Sequence, residues 1–178
     1  MEHSGSEKIL TGLIYYPVRT LGIGNRIGIW TVGCSLHCPG CITPHNWEFD
    51  PDTARPIPEI LQEITAYKVF GPDGITISGG EPFDQAPALR ILLEGLREEG
   101  FRDIMVYTGY LFENLKAKYR WIHDLIDVLV DGPFMEGNTA SEAWKGSDNQ
   151  RMILLTDNEQ LIWKYQAYQK ECPEHRKI

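Results

Sequence analysis

Basic side chains are in short supply. Lysine and arginine total 17 against 25 aspartates and glutamates, a net charge of −8. A nucleic-acid binder needs a cationic face for phosphates, so this balance argues against one. Long apolar runs are missing too. The longest uncharged stretch, Ile27 to Trp47, is broken by Gly28, Gly33, Pro39, Gly40 and Pro44, whereas a membrane-spanning helix needs about 20 predominantly apolar residues. The opening Met1-Glu2-His3-Ser4-Gly5-Ser6-Glu7-Lys8 lacks the basic and apolar regions of a secretory signal. These absences point to a cytoplasmic protein with no membrane and no nucleic-acid partner. Cysteine is scarce as well, four in 178 residues. A chain this long can build its own core without a disulfide scaffold. One domain over 1–178 is expected.

What is present is an alternation of strand and helix. Ile27 to Val32 reads as a buried strand. Ile57, Ile60, Leu61 and Ile64 lie at helical spacing within Pro56–Lys68. Ile75 to Ser78 is a second strand, and a helix with Pro87 in its first turn and Gly100 past its end follows. Ile104 to Tyr107 is a third strand, residues 111–121 a helix, Asp127 to Val130 a fourth strand and Met152 to Leu155 a fifth. Thr156-x-x-Glu159 has the form of a capping box opening the last helix. This order predicts an α/β fold with a mostly parallel sheet of about five to six strands, open or curved into a partial (β/α) barrel. Trp121, Trp163 and Tyr165 read as helix packing. Cys172 reads as a free thiol.

The unusual residues follow the strands. Cys34 comes after the first, Gly79-Gly80-Glu81 after the second, Thr108 after the third and Asp131 after the fourth. Parallel sheets place their sites beyond the carboxyl ends of their strands, so these residues should converge. Cys34, Cys38 and Cys41 put three thiols on one glycine- and proline-shaped loop. Two metal centres remain open. A structural zinc needs four ligands, for which His37 or His45 could serve. A [4Fe–4S] cluster held by three cysteines keeps one iron without a protein ligand. Taken singly, Gly79-Gly80 and Asp131-Gly132 have the form of turns, and Thr108 that of a helix cap.

Cys34-x3-Cys38-x2-Cys41 followed by Ser78-Gly79-Gly80-Glu81-Pro82 resembles the radical S-adenosylmethionine superfamily. Trp47, Asp127-Val128-Leu129-Val130-Asp131-Gly132 and Trp144-Lys145-Gly146-Ser147-x-Asn149-Gln150-Arg151 narrow the resemblance to the activating enzymes of glycyl-radical enzymes, in particular those acting on anaerobic ribonucleotide reductase. Ile42 stands where such activases usually carry an aromatic residue. The resemblance implies a [4Fe–4S] cluster on Cys34, Cys38 and Cys41. It also implies S-adenosyl-L-methionine contacts from Gly40, Ile42, Gly79, Gly80, Glu81, Thr108, Asp131, Asn149 and Gln150. A monovalent cation near Thr108 and Asp131 is a further implication. Reductive cleavage would yield methionine and a 5′-deoxyadenosyl radical, which takes a hydrogen from a glycine of a large partner enzyme. Reduced flavodoxin or ferredoxin would supply the electron. Gly79 and Gly80 would admit the cofactor to the backbone, and Glu81 would either face that site or hold the loop. On this view Gly80→Val should spare the cluster and lose cofactor cleavage.

Overall fold

The computed structural model describes residues 7–171, with side chains through 168. Seven strands form one sheet: β1 (Lys8–Val18), β2 (Arg26–Thr31), β3 (Ala54–Pro56), β4 (Gly74–Gly79), β5 (Ile104–Tyr107), β6 (Val128–Asp131) and β7 (Arg151–Leu154). Their order is β3-β1-β2-β4-β5-β6-β7. The middle is parallel, β2 to β4 to β5 to β6. Both margins are antiparallel, β3 and β1 on one side and β7 on the other. The sheet is not closed. A mixed sheet of seven strands therefore replaces the expected five or six.

The helices are α1 (Ile57–Ala66), α2 (Ala86–Glu98), α3 (Phe112–Lys118), α4 (Ile122–Leu125) and α5 (Glu159–Glu171). Strand side chains alternate between faces, and two apolar layers result. Ile27, Ile29, Ile75, Ile77, Ile104 and Val106 pack with Ile60 and Ile64 of α1 and with Leu89, Leu92, Leu93 and Leu96 of α2. Met105, Val128 and Val130 face the other way, against Leu161 and Tyr165 of α5. The β-branched parallel strands are buried on both faces, as parallel sheets require. Among the described residues no helix is long and apolar enough to cross a membrane.

Several local expectations change. The helix expected over 111–121 breaks after Lys118, and α4 follows as a separate turn. The last helix is capped by Asn158, whose Oδ1 accepts from the N–H groups of Gln160 and Leu161 at 3.0 and 3.2 Å. Thr156 instead accepts from Asn158 N–H, so the predicted capping box does not form. Trp163 is 72% exposed and packs nothing of the core, whereas Tyr165 is fully buried. Cys172 lies outside the described residues.

Candidate metal centre

The cysteine loop leaves the carboxyl end of β2 through Gly33, whose φ of +95° favours glycine. It closes on itself: Gly33 N–H donates to Asn46 O at 2.8 Å and Cys34 N–H to Trp47 O at 2.9 Å. Inside, Cys41 N–H turns back to Cys38 O, and Gly40 adopts a φ of +71°. Thr43 N–H points at Cys41 Sγ, 3.4 Å away. The His37 ring stacks on Trp47 with centroids 4.8 Å apart. Cys34 is buried; Cys38 and Cys41 are half-buried.

The end of β4 locks this loop in place. Gly80 N–H donates to Thr31 O and Glu81 N–H to Gly33 O, both at 2.8 Å, while Thr43 Oγ1 donates to Gly79 O at 3.3 Å. A Cβ on Gly79 would overlap the Thr31 backbone, and one on Gly80 would overlap the Gly33 carbonyl. The chain's own backbone therefore demands both glycines. On this geometry the added side chain of Gly80→Val would strike the cysteine loop itself, so loss of the cluster is expected in place of its survival. A second clamp comes from Asp84, which accepts from Ser35 N–H and from Tyr110 O–H, each at 2.6 Å. Ser35 Oγ also reaches Tyr110 Oη at 2.9 Å. Ser35, Asp84 and Tyr110 were not singled out in the sequence, although each follows a strand end that was.

Glu81 is buried and ties β4 to β5. Oε1 accepts from Phe83 N–H and Thr108 Oγ1, and Oε2 from Gly109 N–H, all within 2.9 Å. It holds the loop, one of the two roles foreseen. Burial pushes its carboxyl up to about 7, against the pull of those donors. Burial also raises the Cys34 thiol, and the charges of Glu81 and Asp84 add to the effect. A thiolate there needs a compensating positive centre, which a bound metal supplies.

Other predicted residues have protein partners. Asp131 is fully buried against Arg151. Asn149 donates to Pro133 O, and Gln150 bridges Gly132 O and Gly146 N–H, stitching together the loop before β7. Gly40 packs against Glu136. Ile42 is 88% exposed beside Cys41.

The donor set fits an iron–sulfur cluster. Three soft sulfur ligands lie on one loop, as such clusters require. Among the described residues no group of three or more His, Cys, Asp or Glu converges on a position for a single ion. This holds for the three cysteines as for His37 and His45, so the fit to a cluster rests on the three soft sulfur donors themselves. The Trp47 Nε1 donor is buried in the same loop without a partner.

Fold and site together define an α/β iron–sulfur domain. Residues 20–153 match the family described as "4Fe-4S single cluster domain". The chain is similar to the anaerobic ribonucleoside-triphosphate reductase-activating protein of Escherichia coli K12, with 35% identity over 144 residues, 76% of this chain and 93% of that protein. Its similarity to the protein of that name in Pasteurella multocida is 33%, covering 80% and 96% of the two chains. The phage T4 protein of the same name is 27% identical over 81% and 91%. The chain belongs to the family of anaerobic ribonucleoside-triphosphate reductase-activating proteins.

Proposed function

We propose that this protein is a radical S-adenosylmethionine enzyme that generates a glycyl radical on an anaerobic ribonucleotide reductase. The carrying observation is the three-cysteine loop fastened to the end of β4, by Glu81 N–H to Gly33 O and by Thr43 Oγ1 to Gly79 O. Cys34, Cys38 and Cys41 would hold a [4Fe–4S] cluster and leave one iron for the amino and carboxylate groups of S-adenosylmethionine. The chemistry that such a cluster and cofactor would supply there is one-electron reductive cleavage of the sulfonium C–S bond, the source of the radical that would take a hydrogen from a glycine of the partner.

The chain's own residues perform orientation. Asp84 and Tyr110 hold Ser35, and with it the start of the cysteine loop. Glu81 fixes the ends of β4 and β5 at a constant separation. The 88% exposure of Ile42 beside Cys41 leaves this edge accessible to a macromolecular partner, which favours a protein substrate over a small molecule. A reduced flavodoxin or ferredoxin would deliver the electron in a reducing cytoplasm.

The test is anaerobic reconstitution with iron and sulfide, read as metal content and 5′-deoxyadenosine formation. About four irons per chain are expected. Cys34→Ser, Cys38→Ser and Cys41→Ser should each lose most of the iron and all cleavage, because serine oxygen is a poor ligand for a soft centre. Cys172→Ser should keep both. With the reductase added, a glycyl-radical signal should appear in electron paramagnetic resonance. Stoichiometric zinc without iron uptake would sink the proposal.

A further inference from the structure

The monovalent cation implied near Thr108 and Asp131 does not fit the residues that would hold it. Asp131 is completely buried at the end of β6, and a buried carboxylate must be paired. Arg151, the first residue of β7, does so with two donors. Its Nε–H reaches Asp131 Oδ1 at 2.9 Å, and Nη2 binds Oδ2. The same Oδ2 accepts from Phe112 N–H at 2.7 Å, satisfying a donor that the first turn of α3 leaves open. The guanidinium then continues to α3, where Nη1 and Nη2 donate to the two oxygens of Glu113 at 3.1 and 2.8 Å. Four of its five N–H bonds are thereby used. Thr108 is also committed: its hydroxyl donates to Glu81 and accepts from Tyr110 N–H.

A small cation at this edge would have to displace the Arg151 guanidinium, which already occupies both oxygens of Asp131. It would also stand beside a fixed positive group, the half-exposed guanidinium of Arg151, which repels a second cation. We infer that Arg151 is a covalent replacement for the cation: its guanidinium bridges Asp131 of β6 and Glu113 of α3, and positions the loop that Gln150 stitches to Gly132. Arginine suits this role because its planar fork binds two carboxylates in two-point geometry, which a lysine ammonium cannot reproduce. The geometry stands on the chain's own side chains, so it can be tested apart from radical chemistry.

The measurement is the thermal midpoint of the full chain in potassium, sodium or tetramethylammonium chloride at equal ionic strength. The parent protein should give the same midpoint in all three salts. Arg151→Gln leaves Asp131 buried and unpaired, and should melt lower in tetramethylammonium. Potassium or sodium should recover part of the loss with a logarithmic dependence on concentration, the signature of a ligand that binds the folded state. Arg151→Lys should fall between the two. A parent midpoint that rises specifically with potassium or sodium would overturn the inference. So would an Arg151→Gln protein that melts low with no cation-specific recovery. If Arg151→Gln does not fold, the parent measurement and Arg151→Lys still decide the question.

Discussion

Glu81 illustrates how burial decides the behaviour of a single side chain. Three donors aimed at its carboxylate favour the ionised form, yet desolvation outweighs them and lifts the carboxyl from 4.5 to about 7. In the unfolded chain the group ionises near its ordinary value, so between about pH 4.5 and 7 the folded state holds a proton that the unfolded state has released. Its contribution is fully present below about 4.5. It is lost as pH rises toward 7, and the slope vanishes above that. The loss amounts to a few kcal/mol at about 1.4 kcal/mol per pH unit. Glu81→Gln cannot titrate and should lack this fall. Denaturant midpoints of parent and variant between pH 4.5 and 8 provide the check, and parallel curves would refute the assignment.

At the scale of elements, the site is a junction between the ends of β2, β4 and β5. The Gly33–Asn46 and Cys34–Trp47 pairings close the cysteine loop, and Gly80 sits against the carbonyls of Gly33 and Asn46. Even one methyl has no space there. Gly80→Ala should push the loop away from β4, at a cost of about 1–3 kcal/mol for overpacking. Iron content after anaerobic reconstitution should fall together with the melting temperature. Full iron content with selective loss of cofactor cleavage would instead restore the view that Gly80 serves the cofactor alone. The glycine pair was legible in the sequence as something special, but its reason was not. The atoms that forbid a Cβ belong to residues more than thirty positions away, brought close by the parallel pairing of β2 and β4.

Across the whole molecule, α5 is joined to the sheet by a buried polar network. Arg26 has no exposure, and its guanidinium donates to Thr76 Oγ1 at 2.7 Å, Ile75 O at 2.6 Å and Asp103 Oδ1 at 3.0 Å. Tyr165 of α5 donates to the same Asp103 oxygen at 2.9 Å. Strands β2, β4 and β5 and the last helix thus share one charge pair. Arg26→Met would leave Asp103 with only the partly exposed Lys164, whose Nζ lies 3.4 Å from Oδ2, as counter-charge, and removing one partner of a buried pair typically costs about 3–5 kcal/mol. The urea midpoint should drop strongly while the slope of the transition stays constant. A midpoint within experimental error of the parent would show that Tyr165 and Lys164 suffice for Asp103.

The sequence by itself determined the alternation of strands and helices from β2 onward, the approximate ends of β2, β4, β5 and β6, and the grouping of three thiols on one loop. These are short-range properties: hydrophobic period, turn residues and cysteine spacing act within a few positions. Only the tertiary structure decided the margins of the sheet and the partners of its polar residues. β1 escaped notice because two irregularities in its pairing with β2 and a central Gly12 blur its alternation. β3 spans three residues, too few for any period. Asp131 and Thr108 look like free ligands in the chain, but their hydrogen-bonding capacity is taken by Arg151, Phe112, Glu81 and Tyr110. Ser35 meets Asp84 across 49 positions, and Arg26 meets Tyr165 across 139. Such pairings follow from strand order in the sheet, which local propensity does not encode.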